Sequence, residues 1–107
     1  MNSDLFELHA ELCKTLSDPK RLKILYTLGT TEKSVSELAE KTGLRQANLS
    51  QHLAILRQKG VVSTKRKGKQ ILYRIAFTKM VKACNLIREV LLEQAGQKQK
   101  LLKGRAK

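Results

Sequence analysis

The sequence contains little cysteine, and this scarcity excludes one class of small protein. Cys13 and Cys84 are the two cysteines in 107 residues, and they form no C-x-x-C pair. Two cysteines are too few for the disulfide framework that holds small secreted domains together. We therefore expect both thiols to be reduced and the protein to be cytoplasmic.

Long apolar runs and targeting signals are missing as well. No apolar run approaches the roughly 20 residues that a membrane-spanning helix needs. The N-terminus carries Asp4 and Glu7 and no basic region before an apolar run, which is unlike a signal peptide. These absences predict a soluble protein with no membrane partner.

Acidic side chains are scarce in the second half of the chain. Residues 61–107 contain thirteen Lys and Arg against two Asp and Glu, whereas residues 1–60 contain nine against seven. Most of the formal net charge of +13 therefore lies in the second half. Such a one-sided excess indicates a polyanionic partner, most simply nucleic acid. A chain of this length has room for one domain with a small core.

The sequence also lacks the usual catalytic motifs. There is no phosphate-cradling glycine loop and no convergent pair of carboxylates. His9 and Cys13 are four residues apart on one predicted helix, and this spacing explains their proximity without catalysis. We predict that the protein is not an enzyme and binds no cofactor.

Helical periodicity and capping signals predict three helices before residue 44. The first spans residues 4–16, and Asp18 is placed to cap the second. After a polar connection at residues 29–33, Ser34 and Glu37 fit the capping-box pattern that opens a third, short helix. In the second helix we expect the buried side to consist of Leu22, Ile24, Leu25, Tyr26 and Leu28.

A fourth helix, expected within residues 44–60, has a narrow apolar stripe and an uncharged opposite face. Leu49, Leu53 and Leu56 fall on one side, with His52 at the edge. The opposite face consists of Gln46, Ala47, Ser50, Gln51, Ala54 and Gln58. Amides and hydroxyls can pair with base edges, and alanine allows contact with thymine methyl groups, so this face suits a DNA major groove. An ordinary surface helix, which is the alternative, usually carries Glu and Lys there.

After Gly60 the pattern changes to that of strands. Residues 61–76 are rich in β-branched and aromatic residues and follow the two-residue period of a strand. Gly68 lies where a tight hairpin turn needs a positive φ. The predicted hairpin carries five basic residues and no acid, namely Lys65, Arg66, Lys67, Lys69 and Arg74. A helix-turn-helix followed by such a hairpin predicts a cationic wing near the phosphates or the minor groove.

The first and last helices are more apolar than a small core requires. The last helix is expected over residues 79–95, with Thr78 as its cap, and residues 96–107 are expected to form a basic, flexible tail. The DNA-binding and dimerisation domain is then residues 1–95. We predict a homodimer through the first and last helices, with an interface that includes Leu5, Leu8, Leu12, Cys84, Ile87 and Leu91.

The order of these elements and their local sequences resemble the ArsR/SmtB family of dimeric winged-helix repressors. The matching segments are LSDPKRLKIL at 16–25, SVSELAEKTGL at 34–44, QANLSQHLAILRQKGVV at 46–62 and KRKGKQILYRI at 65–75. The resemblance implies a mainly α fold with a small β-hairpin, in the winged helix-turn-helix order α-α-α-α-β-β-α. It also implies base contacts by Gln46, Ala47, Ser50 and Gln51. Arg45 stands where the family often has a good N-cap such as Ser, and we assign it a phosphate contact.

The metal sites of that family are not matched. The third helix reads Glu37-Leu38-Ala39-Glu40 where the family pattern has cysteines, and residues 78–93 contain no histidine. We therefore predict no zinc site. Cys13 and Cys84 remain candidates for a thiol-reactive effector, through oxidation or a soft metal. The alternative is that both are small apolar side chains with a structural role.

These features predict a dimeric, sequence-specific transcription regulator, more specifically a repressor that binds an imperfect palindrome of double-stranded DNA. The predicted contacts to the DNA backbone come from Arg45, Lys65, Arg66, Lys67 and Lys69. The alternative is a non-specific nucleic-acid or chromosome-associated winged-helix protein, in which charge alone determines binding. The uncharged face of the fourth helix favours the first prediction.

Overall fold

A computed structural model describes the backbone of residues 3–105 and the side chains of residues 4–99. The elements are α1 (Ser3–Leu16), α2 (Pro19–Leu28), β1 (Lys33–Ser34), α3 (Val35–Thr42), α4 (Gln46–Gln58), β2 (Val62–Lys67), β3 (Gln70–Ile75) and α5 (Thr78–Arg105). This order confirms the predicted winged helix-turn-helix, with one strand more than the sequence predicts.

The three strands form an antiparallel sheet in which β3 lies between β1 and β2. β2 and β3 pair over their whole length and end with Lys67 opposite Gln70, which leaves Gly68 and Lys69 as a two-residue loop. Gly68 has a φ of 63°. Glycine adopts this conformation without a steric penalty, and a positive φ at the first loop residue is typical of tight hairpins. The predicted wing is therefore present.

The short strand β1 is missing from the sequence prediction, which treats residues 29–33 as a polar connection. Lys33 pairs with Tyr73, and Ser34 pairs with Leu72. The prediction was wrong because two residues are too few to show the alternating period that identifies a strand. β1 extends the wing to three strands on the side away from β2.

Two of the three predicted N-caps, Asp18 and Ser34, are present. The Asp18 carboxylate accepts hydrogen bonds from the backbone N–H groups of Lys20 and Arg21 at the start of α2. Ser34 Oγ accepts from Glu37 N at 3.2 Å, while Glu37 Oε1 accepts from Ser34 N at 3.1 Å. These bonds satisfy N–H groups that a helix start leaves without partners. They also fix where α2 and α3 begin.

The core lies between α2, α3, α4 and the start of β2. It consists of the buried side chains of Ile24, Leu25, Leu28, Leu38, Leu49, Leu53, Leu56, Val61 and Val62. Burial of each large aliphatic side chain contributes roughly 1.5–3 kcal/mol. Because three leucines of α4 are fully buried, this packing also fixes which face of α4 points outward.

Two residues that the sequence predicts to be buried on α2 are exposed. Leu22 is 43% exposed and Tyr26 is 61% exposed. The guanidinium carbon of Arg88, on α5, lies 3.9 Å from the centre of the Tyr26 ring, so Tyr26 faces α5 rather than the core. The prediction was wrong because five large apolar residues in a ten-residue helix cover more of its circumference than one core can bury.

The last helix continues past its predicted end at residue 95 and reaches Arg105. Gly96 costs about 1 kcal/mol relative to alanine, but good helix formers flank it and no proline follows. Thr78 is the first helical residue and not the cap. The division between a domain and a flexible tail stays a prediction, and residues 1–2 and 106–107 lie outside the described residues. Neither α5 nor any other described helix is long and apolar enough to cross a membrane.

Candidate nucleic-acid interface

The turn between α3 and α4 fixes the direction in which α4 leaves the core. Gly43 ends α3 with a φ of 74°, and its N–H donates to Ala39 O at 2.9 Å. Thr42 is buried, and its hydroxyl donates to Leu38 O at 2.6 Å and accepts from Leu44 N at 3.2 Å. This hydroxyl therefore ties the turn to the last turn of α3.

The uncharged side of α4 is exposed, as predicted. Leu49, Leu53 and Leu56 have no exposed surface. All four predicted base-reading residues are exposed, namely Gln46, Ala47, Ser50 and Gln51. Asn48, which is absent from the predicted set, is also exposed in the first turn of α4 and has an amide that can pair with a base edge. Its signal was present in the sequence, because Asn48 precedes Leu49 by one residue and so lies about 100° around α4 from it, outside the apolar stripe.

The two ends of α4 have different surroundings. At its start, Arg45 is exposed and makes no side-chain cap bond to the helix. At its end, Lys59 Nζ lies 3.1 Å from Glu11 Oε2 on α1. An exposed ion pair contributes little stability, but this one shows that the end of α4 faces α1. The first half of α4 is therefore the part that can enter a groove.

The cations of the wing are divided between two faces of the hairpin. The five are exposed, namely Lys65, Arg66, Lys67, Lys69 and Arg74. Directly paired residues of antiparallel strands share a face, so Lys65, Lys67 and Arg74 lie on one side. Arg66 lies on the other side with Ile71, and its Nε donates to Gly68 O at 3.4 Å. The wing therefore presents a face of three cations and a second, mixed face.

α1 and α5 leave apolar side chains exposed. Of the predicted dimer residues, Leu5, Leu8, Ile87 and Leu91 are each more than half exposed. Leu12 packs against the core of its own chain, and Cys84 is half-buried. Further exposed apolar residues on these helices are Phe6, Leu86, Val90 and Leu92. A single chain thus presents an apolar surface of the kind that a partner subunit covers.

The two thiols have different environments. Cys13 is exposed on α1, and Cys84 is half-buried on α5. Burial raises the pKa of the Cys84 thiol, which reduces its reactive thiolate form. In the part of the chain that the structure describes, no three His, Cys, Asp or Glu residues come together in a way that could hold a metal ion.

Comparisons with known proteins agree with this geometry. Residues 18–64, which run from the cap of α2 into β2, match the model of the family described as bacterial regulatory protein, ArsR family. The chain is 42% identical over 88 residues to the biofilm growth-associated repressor of Xylella fastidiosa. That match covers 82% of this chain and 77% of the relative.

Two solved structures extend the comparison to the whole fold. The crystal structure of Rv0081 from Mycobacterium tuberculosis has a TM-score of 0.79 and 38% identity, and the match covers 88% of this chain and 95% of that one. The homodimeric winged helix-turn-helix DNA-binding domain of Mb0332 from Mycobacterium bovis has a TM-score of 0.81 and 29% identity, and the match covers 89% of this chain and 88% of that one. The chain therefore belongs to the ArsR family of bacterial regulatory proteins, and it is a DNA-binding transcription regulator rather than an enzyme.

Proposed function

We propose that this regulator is a homodimeric repressor that binds an imperfect palindromic operator, with α4 in the major groove. The observation that carries the proposal is the exposed, uncharged face of α4 opposite three fully buried leucines. On this face, Gln46, Ser50 and Gln51 offer donors and acceptors to base edges, and Ala47 allows close approach. The first half of α4 carries no charge on its outer face and gains little from non-specific attraction, so its contribution is discrimination between sequences.

The wing and the start of α4 supply affinity without sequence preference. Lys65, Lys67 and Lys69 are exposed, and each can neutralise a phosphate and release counterions. Arg45 precedes α4 and is exposed, and we assign it a contact with the phosphates that border the groove. Arg66 lies on the other face of the wing, from which it approaches the DNA backbone or the minor groove.

A two-fold dimer supplies the second α4 that a palindrome requires. The exposed apolar residues of α1 and α5, above all Leu5, Leu8, Ile87 and Leu91, support this assembly, with Leu12 and Cys84 at its inner edge. The structural neighbour Mb0332 is described as homodimeric. Two copies of α4 related by a two-fold axis read half-sites about 34–36 Å apart, which is one turn of DNA. Because DNA is the ligand, we place the working protein in the cytoplasm.

The test is a competition between the DNA upstream of its own gene and random DNA of equal length and base composition, at one fixed salt concentration. We expect a preference of about 10³-fold or more for the upstream DNA. A preference near one would contradict the proposal and support a non-specific nucleic-acid-binding protein, since cationic contacts alone do not distinguish sequences.

We also propose that a thiol-reactive effector, if one regulates the protein, acts first at Cys13. This thiol is exposed, whereas burial disfavours the thiolate of Cys84. Mild oxidation should then reduce operator binding by the wild type and by Cys84→Ser, but not by Cys13→Ser. Operator binding that is indifferent to oxidation would mean that both cysteines are structural.

A further inference from the structure

Arg88 and Tyr26 join the last helix to the second helix of the same chain. The guanidinium carbon of Arg88 lies 3.9 Å from the centre of the Tyr26 ring, and both side chains are exposed. A guanidinium that stacks on an aromatic face is attracted by the charge distribution of the ring and by dispersion. The contact therefore links α5 to α2 outside the leucine core.

This contact lies beyond the part of α5 that the core holds in place. Met80 packs against the core and Cys84 is half-buried, whereas all side chains of residues 85–95 are exposed. Arg88 lies about 12 Å along the helix from Met80. A rod that is held near one end can swing about that end, and a second contact farther along fixes its direction. The contact of Arg88 with Tyr26 is placed to be that second contact.

The direction of α5 determines where the proposed subunit contact lies relative to α4. α4 packs against α2 through their shared core, and the exposed residues Ile87 and Leu91 of the proposed contact lie on α5. Leu91 is about 16 Å along α5 from Met80, so a swing of about 10° would displace Leu91 by about 3 Å. This displacement is close to the rise of one base pair of DNA, about 3.4 Å.

We propose that Tyr26 and Arg88 are positioning residues: their stacked contact fixes α5 against α2 and thereby sets the distance between the two α4 helices of the dimer. This inference rests on the proposed function, in which α5 carries the subunit contact and each α4 reads one half-site. A dimer whose α4 helices are held at one distance fits one half-site spacing without further ordering. The contact therefore adds selectivity for the spacing of the operator.

Operators of altered spacing test this role. The probes are the operator found in the competition experiment, with its half-sites located by footprinting, and two versions with one base pair inserted or removed between the half-sites. We expect the wild type to bind both altered versions about tenfold more weakly than the operator, and Tyr26→Leu to bind them only about twofold more weakly. Tyr26→Leu should also bind the operator itself about fivefold more weakly, because the exposed contact contributes about twofold in each subunit.

Further variants identify the groups that act. Tyr26→Phe keeps the ring and should retain the spacing preference of the wild type, whereas Arg88→Gln removes the cation and should behave as Tyr26→Leu does. The double variant of Tyr26→Leu with Arg88→Gln should lose no more than either single variant, since both changes remove the same contact. Lys82→Gln is the matched control, because it removes an exposed cation of α5 about 120° around the helix from Arg88, and it should retain the spacing preference.

Tyr26→Leu changes no charge, so it should bind random DNA as the wild type does and should sediment as a dimer. Three results would overturn the inference alone while operator preference persists. These are a wild type that binds all three spacings equally, an unchanged spacing preference in Tyr26→Leu, or dissociation of this variant into monomers, which would make Tyr26 part of the subunit contact. A wild type without operator preference would overturn the proposed function, and this inference with it.

Discussion

Arg74 reaches across the wing to Ser63, with its Nε donating to Ser63 Oγ at 3.3 Å, and the two residues stand directly opposite each other in the sheet. The bond restrains a guanidinium on the face that also carries Lys65 and Lys67. A cation that is already restrained loses less conformational freedom when it binds a phosphate. The wing therefore presents a partly ordered cationic face before DNA arrives.

Removal of one wing charge should weaken binding to all DNA sequences alike. In Lys67→Ala we expect equal losses on operator and random DNA, because a phosphate contact carries no sequence information. The slope of log affinity against log salt should fall by about one for each subunit. Binding measured at several salt concentrations checks both effects, and Lys14→Ala on α1 is the control that should change neither. A loss confined to the operator would show that Lys67 contacts bases.

Removal of one amide from the proposed base-reading face should weaken binding to the operator but not to random DNA. Gln51→Ala should cost about 1–3 kcal/mol at the operator and leave binding to random DNA nearly unchanged. Gln58→Ala is the matched control, since Gln58 is exposed on the same helix but near the end that faces α1. Parallel titrations of the two DNAs separate the effects. If Gln51→Ala weakened both DNAs equally, Gln51 would not be a base-reading residue.

The elements that the sequence predicts correctly depend on interactions between near neighbours. Asp18 and Ser34 cap the helices that follow them through bonds that span two or three residues. The leucines of α4 recur at helical spacing, so their burial and the exposure of the opposite face follow from one pattern. The exposure of the residues to which we assign base reading could be predicted for the same reason.

The features that the sequence does not reveal depend on contacts between distant segments. β1 forms because Lys33 and Ser34 pair with Tyr73 and Leu72 of β3, and no local sequence pattern predicts that pairing. The division of the wing cations requires the register between β2 and β3. Tyr26 faces α5 because of the way α2 and α5 are arranged, and some fifty residues of chain separate these two helices. The buried Nδ1 of His52 likewise follows from packing, not from composition.

A charge placed in the proposed dimer surface should separate the subunits. Leu91 is exposed in the single chain and lies on the stripe of α5 that includes Cys84 and Ile87. Leu91→Glu would bury an unpaired carboxylate in the dimer, and such a burial costs several kcal/mol. We expect a monomer by analytical ultracentrifugation, together with weaker operator binding.

The matched control for this substitution is Leu92→Glu. Leu92 is also exposed, but it follows Leu91 by one residue and so lies about 100° around α5 from it. We expect this variant to remain dimeric. If both variants remained dimeric, the subunit contact would lie elsewhere on the molecule. If both dissociated, the contact would be wider than the stripe of α5 that includes Leu91.

Acid should destabilise the protein through its helix caps. The backbone N–H of Arg21 bonds to Asp18, the backbone N–H of Ser34 bonds to Glu37, and these bonds hold the pKa of both carboxyls below their ordinary values. The unfolded chain then binds protons at a higher pH than the native protein. The stability from the caps is full above the ordinary carboxyl pKa values, about 4, and is lost as pH falls through the lower native values. The free energy of unfolding in urea should fall accordingly, and less steeply in Asp18→Asn, which still caps α2 without titrating. An equally steep fall in Asp18→Asn would exclude Asp18 as a source of the effect.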